Sequence, residues 1–215
     1  MSKMLLLDID GVVLRDPLLL EHVKYNCAEY VKAKLPEAKD PYKVNRLLYK
    51  RYGHTAHGLR KAFRINANDF DDKVYDKKLM SHLWSCLSST EFAKDAMTLH
   101  DIYESGWDIR LFSNSPLRWS IPVQCAIGDF VGVNKDELFL KPDARAYSMF
   151  STHRLKVFVD DSELNLWPAK HMNNWIGVHF DENAKKSSLF EPNFPTIGSL
   201  WELQLFLNSI AQVKA

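Results

Sequence analysis

Three short strand-like runs that each stop at polar residues constrain the fold most. Met4 to Leu7 ends at Asp8, Asp108 to Phe112 ends at Ser113, and Leu155 to Val159 ends at Asp160. Met4 to Leu7 is a continuous apolar run, which suits a strand buried on both faces inside a parallel sheet. Trp175 to Phe180 reads as a fourth strand. Asp129 to Val133 gives a weaker one, and Phe194 to Ile197 a last edge segment.

Helical patterns fill the intervals. From Leu19, apolar residues recur at Val23, Cys27, Tyr30, Val31 and Leu35, and Pro36 ends the face. Asp40-Pro41 reads as an N-cap and first helical residue, with Gly53 as the stop. Asn68 is expected to cap a short helix through Tyr75. Ser88-Ser89-Thr90-Glu91 fits a capping box ahead of Phe92, Ala96, Leu99 and Tyr103, and Gly106 closes that helix. Pro142 is expected to open another helix through Phe150, and Leu203, Phe206, Leu207 and Ile210 share one face of a final helix.

Strand–helix alternation implies an α/β fold: a doubly wound, Rossmann-like parallel sheet with helices on both faces. Asp8 and Ser113 are 105 positions apart, far more than a single crossover needs. The surplus predicts a helical domain inserted after the first strand, spanning 16–90, with a core of 1–15 and 91–215. At roughly 150 residues per domain, 215 residues make about one and a half, and no Gly/Ser linker divides them.

Charge narrows the partners. Lys and Arg number 28 against 27 Asp and Glu, a balance of +1 that gives no general attraction to nucleic acid or to an acidic membrane. The six tryptophans are scattered and fit core or edge positions better than a nucleic-acid surface. Cys27, Cys86 and Cys125 form no CxxC pair, which argues against a disulfide framework or a zinc ribbon and favours a reducing, cytoplasmic setting. The short apolar run at Met4 to Leu7 is too brief for a signal peptide, and no stretch of 18 apolar residues occurs. The sequence leaves the oligomeric state open.

The strand ends carry the chemistry. They read Asp8-Ile9-Asp10-Gly11, Ser113-Asn114-Ser115 and Asp160-Asp161-Ser162. In an open parallel sheet the carboxyl ends of the strands line one crevice. Four carboxylates would meet there, and like charges so close raise one another's pKa. A divalent cation relieves this, and an all-oxygen donor set with room for water and phosphate favours Mg²⁺. Lys141, before Pro142, would add a positive charge beside a bound anion. Alone, each of these motifs is as well explained by a turn or a helix cap; their shared order and strand context distinguish them.

In that order and context the sequence resembles the haloacid dehalogenase-like superfamily. The matching segments are Leu5-Leu6-Leu7-Asp8-Ile9-Asp10-Gly11, Leu111-Phe112-Ser113-Asn114, Leu140-Lys141-Pro142 and Val157-Phe158-Val159-Asp160-Asp161. A narrower likeness, to the pyrimidine 5′-nucleotidase-type phosphatases, runs through Tyr52-Gly53-His54-Thr55-Ala56-His57-Gly58-Leu59-Arg60 and through Phe158-Val159-Asp160-Asp161-Ser162 with Asn165. The chain departs from that subgroup at Gly11-Val12-Val13, at Ser113 and at Pro168.

The resemblance implies a small phosphorylated metabolite as substrate, with nucleoside 5′-monophosphates first and sugar-phosphate, phosphoglycolate or phosphomutase chemistry as the alternative. A binding or regulatory module without turnover is the non-enzymatic alternative. The resemblance makes Asp8 the nucleophile, Asp10 the general acid and base, and Asp8, Asp10, Asp160 and Asp161 the Mg²⁺ site. It makes Ser113, Asn114 and Lys141 the phosphate-binding groups, and the insert a cap from which His54 and Arg60 are expected to reach substrate. Halide-displacing members of the superfamily lack the second aspartate, so Asp10 points to phosphate.

Overall fold

The computed structural model describes residues 3–133, 139–150, 155–183 and 193–213. β1 (Lys3–Leu7), β2 (Trp107–Leu111), β3 (Val131–Val133), β4 (Leu155–Asp160), β5 (Trp175–Phe180) and β6 (Thr196–Ile197) form one sheet, in the order β3-β2-β1-β4-β5-β6. Every pairing is parallel. The chain leaves β1 towards β2 on one side and later returns to β4 on the other. This topological switch, between β1 and β4, is where α/β sheets bind ligands.

Alternation along β1 divides the interior. Leu5 and Leu7 join a large cluster with α6 (Thr90–Glu104), α7 (Leu117–Ile127) and α10 (Leu200–Val213). Met4 and Leu6 point the other way, to Tyr147 of α8 (Ala144–Ser148) and to Leu166 and Ala169 of α9 (Glu163–Lys170). Buried side chains on both faces explain why β1 reads as an unbroken apolar run from Met4 to Leu7.

Between β1 and α6 stand α1 (Pro17–Lys34), α2 (Pro41–Tyr52), α3 (Thr55–Phe63), α4 (Phe70–Val74) and α5 (Lys77–Leu87). Asp16 caps α1 by accepting from the Leu19 N–H at 2.8 Å, and Asp40 caps α2 by accepting from Lys43 N–H at 2.9 Å. Gly53 ends α2 with φ at +73°, the left-handed stop expected of it. Leu19, Val31, Leu59, Leu79 and Leu83 of these helices belong to the same apolar cluster as Leu5 and Ile109 of the sheet. The insert is therefore welded to the sheet through one continuous core.

Three local expectations need correction. Asn68 does not cap α4: Asp69 holds the N-cap position ahead of Phe70, and the Asn68 N–H donates to the Asn66 side chain at 3.0 Å. Ser89, not Ser88, caps α6, which puts Glu91 one position early for a capping box. Ser88 closes α5 instead, its hydroxyl donating to the Trp84 carbonyl at 2.9 Å. Asp143 caps α8, so Pro142 lies ahead of the helix rather than within it. Pro168 is accommodated inside α9, near its C-terminal end. Cys125 sits on the exposed side of α7, opposite the buried Trp119, Val123 and Ile127. No helix among the described residues is long and apolar enough to cross a membrane.

Candidate active site

Parallel register brings the strand ends together. Leu7 pairs with Leu111 on one side and Val159 on the other, which sets Asp8, Phe112-Ser113 and Asp160 side by side. The Asp8 N–H donates to the Val159 carbonyl at 2.9 Å, and the Phe112 N–H donates to the Leu7 carbonyl at 2.8 Å.

Lys141 is the hub. Its Nζ lies 2.6 Å from Asp160 Oδ2 and 3.0 Å from Asp8 Oδ1. All three side chains are buried, and the lysine amine lies over the rings of Phe112 and Phe158, 5.4 and 5.3 Å from their centroids. Burial works against the lysine charge, but Asp160 and Asp8 outweigh it and hold its pKa above the ordinary lysine value. Asp160 also accepts from the Ser162 N–H at 2.9 Å and from Asn165 Nδ2 at 3.0 and 3.1 Å. Burial still raises its pKa; Lys141 opposes the rise, and the charges of Asp8 and Asp161 add to it.

Asp10 has two donors. Ser115 Oγ reaches its Oδ2 at 2.6 Å, and Trp119 Nε1 reaches its Oδ1 at 2.9 Å. Burial nevertheless pushes Asp10 up to about 6, with the Ser115 hydrogen bond opposing the shift and the Asp8 charge adding to it. The Tyr75 ring packs 5.3 Å from that of Trp119 and completes the wall. Ser113 Oγ accepts from the Ser115 N–H at 3.1 Å, which leaves its own hydroxyl proton to donate elsewhere.

Carboxylate oxygens of Asp8, Asp160 and Asp161 come within 4.8 Å of one another. Asp161 keeps an open face to the cavity, yet desolvation by the surrounding protein and the Asp8 charge raise it to about 7. Gly11 makes room for it: with φ at +86°, a Cβ there would stand 2.3 Å from Asp161 Oδ2. Three clustered hard oxygen donors, of which Lys141 neutralises one charge, fit a small divalent cation such as Mg²⁺.

The Asn114 side chain is engaged with the backbone of two other segments. Its side-chain Nδ2 donates to the carbonyls of Gly53 and Lys141, at 2.8 and 2.9 Å, and its Oδ1 accepts from the Lys141 N–H at 2.9 Å. One amide thus joins the end of α2 to the backbone that carries the central lysine. The fit is close: a Cβ on Gly53 would stand 2.0 Å from the Lys141 carbonyl oxygen.

Above these groups opens a cavity of about 730 Å³, walled by α1, α2 and the start of α3. His54 lines it, its ring edge-on to Phe70 at 5.0 Å. Arg60 does not line it. That residue is exposed on the far side of α3, one turn beyond the wall, with Nε turned to the Ala56 carbonyl. Tyr49 exposes 46% of its surface and lines the cavity. Desolvation of its hydroxyl, with the carboxylates below, raises its pKa well above the ordinary phenol value. Tyr42, Asn45 and Arg46 of α2 line the same wall. The α2 periodicity marks which face is apolar but not what its polar positions look onto.

No family model and no curated protein matches this sequence. Solved structures do. The L-2-haloacid dehalogenase RSc1362 aligns with 96% of this chain and 99% of its own at 12% identity, with a TM-score of 0.55. A 2-haloacid dehalogenase from Pseudomonas syringae pv. Tomato aligns over 97% and 99% at 14% identity and TM-score 0.54. The HAD-hydrolase YfnB from Bacillus subtilis, whose structure holds magnesium, aligns over 96% and 99% at 11% identity and TM-score 0.54. The fold is that of the haloacid dehalogenase-like hydrolases. In this fold the candidate site lies on the carboxyl ends of β1, β2 and β4, with the helical insert over them.

Proposed function

We propose that this chain is a Mg²⁺-dependent phosphatase that hydrolyses a small phosphomonoester through an aspartyl-phosphate on Asp8. The observation that carries the reading is the pair Asp8 and Asp10: one carboxylate bound to Lys141, the other held by Ser115 and Trp119 and pushed up to about 6. Two carboxyls in different environments are a means of dividing nucleophile from proton carrier.

In the first step an Asp8 oxygen attacks phosphorus, the bond to the leaving oxygen breaks, and that oxygen takes the Asp10 proton. In the second, Asp10 accepts a proton from water as the water oxygen attacks phosphorus. Inorganic phosphate departs, and Asp8 and Asp10 return to their starting states. Lys141 balances the charge of Asp8 and of the transferred phosphoryl group, and the Ser113 hydroxyl donates to a phosphoryl oxygen. Asp8, Asp160 and Asp161, with the Asp10 carbonyl, would hold Mg²⁺, which supplies charge neutralisation at the phosphoryl oxygens.

The neighbours' names raise 2-haloacids as a competing substrate class. Loss of a halide needs no proton, and a halide-displacing site has no task for a second carboxyl held by two donors, as Asp10 is. The cavity favours a leaving group larger than a simple sugar fragment: Phe70, Tyr49, Tyr75 and His54 give it flat aromatic walls. Nucleoside 5′-monophosphates therefore come first, ahead of sugar phosphates and phosphoglycolate.

A panel of those esters, with a 2-haloacid alongside, tests the reading by released phosphate or halide with and without Mg²⁺. Phosphate release that requires Mg²⁺ is the expected result. Halide release, or inertness of the folded protein toward every ester, would overturn it.

A further inference from the structure

We propose that Asp16, His82 and Cys86 form a second metal site, for a divalent ion of the zinc class, at the place where the helical insert joins the sheet. Asp16 stands immediately before α1, and His82 and Cys86 are one helical turn apart near the end of α5. Both chain crossings between insert and sheet therefore lie beside this cluster.

One carboxylate oxygen, one imidazole nitrogen and the thiol sulfur all lie within 4.8 Å of one another. A tetrahedral ion with ligand bonds of about 2.0–2.3 Å needs ligand separations of about 3.4 Å. Small side-chain rotations close the difference, and all three side chains are free enough to make them: Asp16 is exposed, and His82 and Cys86 are partly buried. Asp16 and His82 are too far apart for an ion pair. His82 makes no hydrogen bond among the described residues; it only rests against the His22 ring, 5.8 Å away. Asp16 spends one oxygen, Oδ1, in capping α1 and keeps Oδ2 for the ion.

The donor set decides the class of ion. A thiolate and an imidazole select zinc-like borderline ions, whereas the all-oxygen group of Asp8, Asp160 and Asp161 selects hard ones. A polar cavity of about 450 Å³ opens onto Asp16, His82 and Cys86, giving solvent access and room for water as a fourth ligand. Binding releases one proton, from the Cys86 thiol to solvent, and involves no change of oxidation state. The bound ion ties the start of α1 to the end of α5, next to Arg15, which is already paired with Asp95 and Glu182.

The test is a Co²⁺ titration of the full-length, chelator-treated protein in saturating Mg²⁺, which occupies the hard oxygen site. The expected result is one tight equivalent of Co²⁺, with a thiolate-to-cobalt charge-transfer band in the near ultraviolet that Zn²⁺ abolishes by competition. Cys86→Ser should remove the band, and His82→Ala should weaken binding at least tenfold. Asp16→Asn keeps a good helix cap and should also weaken binding at least tenfold. Cys125→Ser should leave the band intact. Absence of the band in the wild-type protein, or its survival in a folded Cys86→Ser variant, would overturn the proposal. So would an unchanged affinity in folded Asp16→Asn and His82→Ala.

Discussion

Trp119 donates its indole N–H to Asp10 at 2.9 Å, so a residue of α7 sets the state of a carboxyl on the β1 loop. That bond favours the ionised carboxylate and lowers a pKa that burial has raised to about 6. Trp119→Phe removes the donor while keeping the wall, so the Asp10 pKa moves further up. Asp10 must carry a proton in the first chemical step. The limb of kcat/KM that falls as pH rises through its pKa should therefore shift to higher pH. A pH–rate profile of the two proteins checks this; an unmoved limb would separate Trp119 from the chemistry.

The Lys141 charge bridges two buried carboxylates. Lys141→Met leaves Asp8 and Asp160 without that counter-charge, and breaking such a group costs about 3–5 kcal/mol. Denaturant unfolding should show a loss of that order without metal, partly restored by Mg²⁺, and phosphate release should vanish. A variant as stable as wild type in chelator would contradict the arrangement.

Asn114→Ala strands the Lys141 N–H and the carbonyls of Gly53 and Lys141 in a buried setting. Leaving such groups unpaired costs about 1–3 kcal/mol each, less whatever water recovers. A total loss of about 2–4 kcal/mol in urea unfolding is expected, with kcat reduced more than KM is raised, because Lys141 loses its backbone anchor. Loss of stability below about 0.5 kcal/mol would show that the clamp is not needed.

The cysteines should react in an order set by burial. Cys125 is exposed and should alkylate first at pH 8. Burial pushes Cys86 up to about 11 and Cys27 up to about 12, so little thiolate forms at either. Mass spectrometry of peptides after iodoacetamide treatment reads the order directly; early labelling of Cys27 would contradict its burial on α1.

Much of this arrangement was legible in the sequence because strands buried on both faces leave an unambiguous mark. β1, β2 and β4 stand within a residue of the apolar runs, and the polar residues after them converge as the parallel topology requires. Asp40, Pro41 and Gly53 marked α2 for the same kind of local reason. Helix α5 was not foreseen, although Asp76 caps it and Leu79, Leu83 and Leu87 share its buried face. Its exposed Trp84 and partly buried Cys86 and Met80 blur the amphipathic pattern. Ser115, Tyr75 and the side-chain role of Asn114 were out of reach. Each acts through a contact between residues 40 or more positions apart, or through the fit of one loop on another, which periodicity does not encode. That Arg60 lies outside the cavity lining was out of reach for a like reason: which way α3 faces is decided by its packing on α2.

The most direct measurement is a rapid acid quench during turnover of p-nitrophenyl phosphate with Mg²⁺, followed by peptide mass spectrometry. The account predicts one phosphoryl group on the peptide that contains Asp8, and neither that adduct nor phosphate release from Asp8→Asn. Substantial Mg²⁺-dependent phosphate release by Asp8→Asn, or a phosphoryl group found on another residue, would contradict it.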